Sequence, residues 1–349
     1  MAKAADKPVA VDLALQGGGA HGAFTWGVLE RLLDEDCINI AGISGASAGA
    51  MNAVVLAHGL SVGGRDGARR ALWAFWKSVS RAAGGGAFPL QAFQNLFAPW
   101  LPKPPVLPFL GAGQTALSPY QFNPLNYNPL HRVIQDQIDF EALRDPEAPR
   151  LFVSATDVRS GRLRLFRNAD LTADALMASA CLPMLFQAVE IGEDAYWDGG
   201  YVANPPVLPL IEESPAEDLI LITVNPSQRD EVPRLPQDIL ARLNEITFST
   251  NLVSQMRSVA ILKHQLETDR TPPDRYSQTL FRQVEKLRAH RIHDDAMMAD
   301  KGSHSKMNAE WRFLIRLHGI GYRAADTWLA EHRSDLGRRA TLDIAATYC

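Results

Sequence analysis

The sequence predicts an α/β protein: a mostly parallel sheet covered by helices on both faces, with further helices at the C-terminal end. Three observations predict it. Two short apolar runs, residues 11–15 and 38–43, each lead through a glycine-rich turn into a helical pattern, the rhythm of parallel βαβ units. Apolar runs recur at 151–156 and 218–224. Beyond Arg229 strand signals stop and helical periodicity takes over. At 349 residues and 46% hydrophobic, the chain can bury one large α/β core with a helical appendage.

Residues 11–15 form a short, mainly apolar run before glycine, as a buried parallel strand would be. Phe24, Val28, Leu29, Leu32 and Leu33 then recur at helical spacing, so a crossover helix follows over 24–33. Residues 38–43 form the next strand and 48–57 the next helix. A further helix over 68–80 carries Leu72, Phe75, Trp76 and Val79 on one side. The stretch from about 84 to 130 holds prolines too dense for a regular helix or central strand. It is also rich in Phe, Trp and Tyr, in which linkers are depleted, so it is expected to wall or cover a site like a lid. Residues 131–143 look helical. Residues 151–156 and 162–166 are strands joined by a Ser160-Gly161 hairpin turn. Residues 172–180 form a short helix stopped before Pro183, and 188–191 a small strand. Tyr196 to Gly200 reads as a turn, and 218–224 as the last buried strand. A long helix is expected over 236–267, with Ile239, Leu243, Ile246, Leu252, Val253, Met256, Val259 and Leu262 on an apolar side. Residues 279–288 read as an extension of mixed polarity. A helix pair over 305–331 is expected to break near Gly319-Ile320-Gly321 and to dock on the core.

The formal net charge of −4 implies no nucleic-acid partner. From Arg229 onward 19 Lys and Arg face 16 Asp and Glu, an imbalance mild enough for solvated helix faces. Cys37, Cys181 and Cys349 are isolated, which argues against disulfides or a zinc site and fits a reducing cytoplasm. The N-terminal residues lack the apolar region of a signal peptide. No apolar run approaches the ~18–20 residues that span a bilayer, so lipid would be met from the surface.

The two glycine turns carry the chemistry. Gly45-Ala46-Ser47-Ala48-Gly49 is a G-x-S-x-G pattern between strand and helix. Small residues there suit a nucleophile elbow, whose backbone is strained and whose helix begins at once; the helix dipole favours an oxyanion. Gly17-Gly18-Gly19 offers backbone N–H groups one βα unit earlier. Gly17 to Gly22 also satisfies the dinucleotide pattern G-x-G-x-x-G. That site wants an acidic residue ending the second strand, but Ser44-Gly45 stands there, and Asp34, Glu35 and Asp36 precede the strand. For a base, the histidines after Asp198 (His264, His290, His293, His304, His318 and His332) sit in polar helical surroundings. Asp198 lies on a glycine-flanked turn, where catalytic groups concentrate. Desolvation, with Trp197 and Tyr201 as walls, would raise its basicity.

These residues, with Asp198-Gly199-Gly200 following in order, resemble the patatin-like phospholipases; 154–158 and 178–183 resemble segments between their serine and aspartate. The resemblance covers roughly residues 10 to 226. It implies a three-layer α/β/α fold and a Ser-Asp dyad without a catalytic histidine, metal or other cofactor, acting on phospholipids or related acyl-ester lipids. Ser47 would be the nucleophile and Asp198 its base, with Gly17, Gly18 and Gly19 as the oxyanion hole. His21, Gly45, Gly49, Gly199 and Gly200 would support them. His21 stands where the family usually has Arg or Lys. The expected organisation is a catalytic domain at 10–228 and a helical extension at 229–349, the latter a place for membrane-surface contact or homo-oligomers. The expected location is cytoplasmic, with peripheral contact to a membrane. The alternatives are a non-catalytic lipid-binding or scaffolding member of the fold and a nucleotide-binding α/β enzyme.

Overall fold

The computed structural model describes residues 7–84, 118–226, 228–229, 231–269, 275–299 and 303–349. The proline- and aromatic-rich segment expected to act as a lid lies largely outside the described residues.

Eight strands form one sheet: β1 (Val9–Leu15), β2 (Ile38–Gly45), β3 (Arg150–Asp157), β4 (Leu163–Arg167), β5 (Val189–Ile191), β6 (Asp194–Asp198), β7 (Asp218–Ile222) and β8 (Arg288–Ile292). The order is β5-β6-β3-β2-β1-β7-β8, with β4 also on β3. β3, β2, β1, β7 and β8 run parallel. β4 overlaps the pairing of both β2 and β6 along β3, so β2 and β6 share the opposite edge. β6 therefore takes over where β2 stops, which brings Asp198 to the carboxyl end of β2.

The sheet separates two cores. Leu13, Leu15, Ile220 and Ile222 pack with the helices α1 (Gly22–Leu32) and α2 (Ala48–Gly84). Ala14, Leu219 and Leu221 pack on the other side, with α5 (Leu208–Glu213) and α6 (Pro236–Asp269). Alternate residues of one strand thus face different helical layers, which makes three layers. Each fully buried Leu or Ile contributes about 1.5–3 kcal/mol. Two short helices, α3 (Pro129–Gln137) and α4 (Ala173–Ser179), lie between β2 and β5 in the chain. α7 (Thr279–Lys286) precedes β8, α8 (Trp311–His332) follows it, and α9 (Ile344–Tyr348) ends the chain.

Five expectations change, the last of them in the long helix α6. The predicted helices 48–57 and 68–80 are two arms of α2, which bends at the non-helical Gly63 and Gly64. The residues read as a turn up to Asp198 are strand β6, and the turn begins at Gly199. Asp218 to Ile222 is not the last strand, because β8 pairs parallel beside it. β8 reads Arg-Ala-His-Arg-Ile, and its polar residues disguise it. Arg288 donates to Asp218 at 2.9 and 2.7 Å, His290 Nε2 lies 3.0 Å from the same carboxylate, and Arg291 pairs with Asp295. Gly319 and Gly321 do not break a helix; α8 runs through both. A Cβ on Gly321 would strike the Phe24 carbonyl, and one on Gly27 the His318 carbonyl. The glycines let α8 lie backbone against backbone on α1, where Trp26 stacks on His318 at 4.2 Å. This helix docks on the core, as expected.

The long helix α6 divides its apolar residues. Leu252, Met256 and Val259 are buried, while Ile239, Leu243, Ile246 and Val253 are exposed. The single apolar side expected for it is therefore two sides, one on the core and one facing out. Among the described residues no helix is long and apolar enough to cross a membrane.

Candidate active site

β1 and β2 end side by side, with Leu15 opposite Gly45, so their two glycine turns leave the sheet together. Ser47 sits at the tip of the second turn with φ 53°, a left-handed backbone that non-glycine residues adopt at a cost of order 1–3 kcal/mol. Its N–H donates to both the carbonyl and the hydroxyl of Ser179, each at 3.0 Å, and α2 starts at the next residue. A Cβ on Gly49 would strike the Leu15 carbonyl, so the elbow closes only with that glycine.

The first turn lies against the second. A Cβ on Gly17 would overlap the Ala46 carbonyl and come within 2.9 Å of Ser47 Cβ. The Gly17 N–H donates to the buried Asn204 Oδ1 at 2.6 Å, so it is spoken for. Gly18 and Gly19 make no such bond from their N–H groups among the described residues. The three glycines therefore divide: Gly17 anchors the turn, and Gly18 and Gly19 present N–H groups at the start of α1. Gly19 has φ +58°, and its missing side chain is replaced by the carbonyl of Lys306.

Asp198 ends β6, fully buried. Its N–H donates to the Cys181 carbonyl at 2.8 Å and its own carbonyl accepts from the Thr156 hydroxyl at 2.7 Å. Of the carboxylate, Oδ1 accepts from the Gly200 N–H at 2.7 Å, while Oδ2 has no hydrogen-bond partner among the described residues. Burial drives this carboxyl up to about 7; the Gly200 N–H and the nearby Ser47 hydroxyl oppose that rise without cancelling it. Ser47 is thus close enough to favour the charged carboxylate, yet it closes no hydrogen bond of ordinary geometry to Oδ2. Contacts of this kind in catalytic pairs often tighten only as substrate binds.

The expected apolar wall is half right. Tyr201 lies beside Asp198 and stacks on Phe248 of α6, with ring centres 4.9 Å apart. Burial, then the Asp198 charge, pushes the Tyr201 phenol up to about 12, and the same causes push the Cys181 thiol to about 12. Trp197 precedes Asp198 in a strand, so its side chain leaves the opposite face and is no wall. His290, His293, His318 and His332 each pair with a carboxylate other than Asp198. His21 is buried at the start of α1, with Nε2 2.7 Å from the Ser305 hydroxyl.

Several site residues carry no motif. Asn204 binds both glycine turn and α6, its Nδ2 donating to the Phe248 carbonyl at 3.0 Å. Asn251 of α6 donates to the Tyr201 carbonyl at 2.8 Å. Gln16 Oε1 accepts from the N–H groups of Val224 and Asn225, both at 2.9 Å, tying the glycine turn to the end of β7. A lone amide between apolar residues and Pro205-Pro206 was the available signal for Asn204. For Asn251 and Lys306 sequence offered none, since both come from segments far from the motifs.

A protein-family model described as patatin-like phospholipase matches residues 13–211. No curated protein matches the chain. Among solved structures, VipD from Legionella pneumophila is 13% identical with a TM-score of 0.42, covering 94% of this chain and 67% of its own. A heterodimeric ExoU–SpcU complex from the type III secretion system of Pseudomonas aeruginosa is 16% identical with a TM-score of 0.28, covering 94% of this chain and 76% of its own. At those TM-scores neither likeness bears on the chemistry.

Proposed function

The chain belongs to the patatin-like phospholipase family, and from that premise we propose that it is a serine acyl hydrolase of phospholipids or related lipid esters, working through Ser47 and Asp198. One observation carries the reading: a fully buried carboxylate with an unpartnered oxygen, poised near 7, beside a serine held at positive φ on a helix N-terminus. A base with a pKa near the working pH best combines ionisation with proton affinity.

In the proposed reaction Asp198 Oδ2 takes the Ser47 proton as Oγ attacks the ester carbonyl. The carbonyl oxygen becomes an oxyanion facing the N–H groups of Gly18 and Gly19, each such donor supplying roughly 2.7–4 kcal/mol. The tetrahedral adduct collapses, the C–O bond to the alcohol breaks, and Asp198 returns its proton to the leaving oxygen. Water then attacks the acyl-serine, gives a proton to Asp198, and releases the fatty acid as Ser47 recovers it.

The unit proposed to do this is residues 10–228, completed by contacts from 229–349. The exposed side of α6, with Ile239, Leu243, Ile246 and Val253 flanked by Arg234 and Arg257, supports contact with a membrane surface. Its opposite side touches the Asp198 loop, so substrate would arrive beside the dyad. The test is hydrolysis of p-nitrophenyl esters and of phospholipid vesicles by wild type, Ser47→Ala and Asp198→Asn, with fluorophosphonate labelling of Ser47. Loss in both variants is expected; undiminished hydrolysis by either overturns the dyad.

A further inference from the structure

The turn Ser303–Met307 lies far beyond the family match, yet it packs on the Gly19–His21 turn. The approach is backbone to backbone, with the Lys306 carbonyl in the space a Gly19 side chain would fill and the Ser305 hydroxyl 2.7 Å from His21. Behind the glycines, Val224 presses on Gly18, since a Cβ there would lie 2.8 Å from Val224 Cγ2. The next residue, Asn225, is buried, and its Oδ1 accepts a hydrogen bond from Lys306 Nζ at 2.7 Å.

The state of that ammonium is unusual. No carboxylate pairs with Lys306 among the described residues. Glu245 of α6, whose charge reaches Lys306, is itself occupied by Arg229 and Arg242. Asn225 Nδ2, the other end of the amide that holds it, is buried without an acceptor among the described residues. An ammonium and an unpaired N–H donor thus sit together behind the turn, where an ordinary structural lysine would carry a carboxylate. The residue as a whole is half-buried, with its amine at the deep end. The charged and titratable groups around it are Glu245, Arg229 and Arg242, and His21 through Ser305.

We propose that Lys306 is a positioning residue of the oxyanion turn: bound to Asn225, it fixes the turn from behind and lends it the positive charge that favours an anionic ester oxygen at Gly18 and Gly19. The proposal rests on the Ser47–Asp198 reading for its chemistry but not for its geometry. Its cost is consistent with such a role, because burial, with Arg229 adding to it and Glu245 opposing it, lowers the lysine to about 8. The ammonium is therefore present at neutral pH and lost as pH rises through that value.

The test compares wild type, Lys306→Met and Lys306→Arg on a p-nitrophenyl ester from pH 6 to 10, with thermal midpoints confirming the fold. In wild type kcat should fall above pH 8. Lys306→Met should lose at least tenfold in kcat, with KM changed less than threefold, and show no alkaline limb. Lys306→Arg should keep most activity and move that limb upward. Wild-type kcat in Lys306→Met, or an equal loss in both variants with the limb unchanged, overturns the proposal. A 13Cε titration of Lys306 reads the ammonium even if the protein hydrolyses nothing. A midpoint near 8 is expected, and one at 10 or above overturns the proposal. Absence of hydrolysis and of fluorophosphonate labelling in wild type, with Lys306 titrating near 8, would instead sink the hydrolase reading alone.

Discussion

Asp198 and Asp218 are both aspartates with fully buried side chains on the same sheet, and they behave in opposite ways. Asp218 is surrounded by donors: Arg288 twice, His290, and the Gly337 N–H at 2.9 Å. Burial alone would raise its pKa, but the His290 and Arg288 bonds, the Gly337 N–H and the Arg288 charge hold it below the ordinary aspartate value. Among the described residues Asp198 has one N–H, from Gly200, and no cation, and burial wins. The lesson is that burial does not make a carboxylate reactive; leaving it under-supplied with donors does. Asp218 fastens β8 and the C-terminal residues to the sheet. Asp198 is left with an oxygen to spend on a proton.

The comparison breaks most visibly if Asp198 is dispensable. Asp198→Asn and Ser47→Ala should each lower kcat/KM by about 10⁴-fold, measured in steady state at pH 8. Asp198→Asn should at the same time raise the thermal midpoint at that pH. A carboxyl whose folded pKa is raised contributes stability that is intact below the unfolded value near 4 and lost as pH climbs through about 7. An amide there escapes that loss.

Asp218→Asn should do the reverse. Removing the charge strands Arg288 and His290, and denaturant titration should show about 3–5 kcal/mol of lost stability. Hydrolysis per folded molecule should stay unchanged. Between these cases stands Asp12, buried in β1 with the Ser214 hydroxyl 2.5 Å from Oδ1. Burial lifts it to about 7, against the Ser214 bond, the Arg150 charge and a Gly42 N–H. Its neighbouring hydroxyl, Ser214, is itself buried and lies on neither glycine turn, so Asp12→Asn should stabilise the fold by about 1–3 kcal/mol at pH 8 without touching the acid limb of the activity profile. A loss of hydrolysis there would show that a buried Ser-Asp pair away from the glycine turns contributes to the chemistry. The smallest effect is the profile itself. Between pH 6 and pH 8 wild-type kcat/KM should rise about tenfold as Asp198 ionises, and a flat profile would contradict its role as base.

Much of this was legible in the residues. The first two strands and their turns were, because short, mainly apolar runs ending in glycine turns leave few other readings. The alternation 162–166 showed β4 for the same reason. β8 was hidden because its Arg288, His290 and Arg291 are satisfied by partners on β7 and just beyond both strands, a fact no local pattern contains. Gly319 and Gly321 of α8 looked like breakers because single-chain propensity cannot see α1 lying on Gly321. Ser47 and Asp198 stood out through motifs. Asn204, Asn251 and Lys306 did not, since each reaches the site by tertiary contact alone.

The placement of Lys306, Asn251 and Phe248 has a consequence in time. These residues belong to α6 and the turn before α8, all made after the family-matched stretch 13–211. Synthesis at about 5–20 residues per second separates residue 211 from residue 306 by roughly 5–20 s. During that interval the nascent chain already holds Ser47 and Asp198 but lacks the pieces that brace both turns. If Ser47 and Asp198 act as proposed, a chain assembled in this order gains that activity only once its late segments have docked on the two turns.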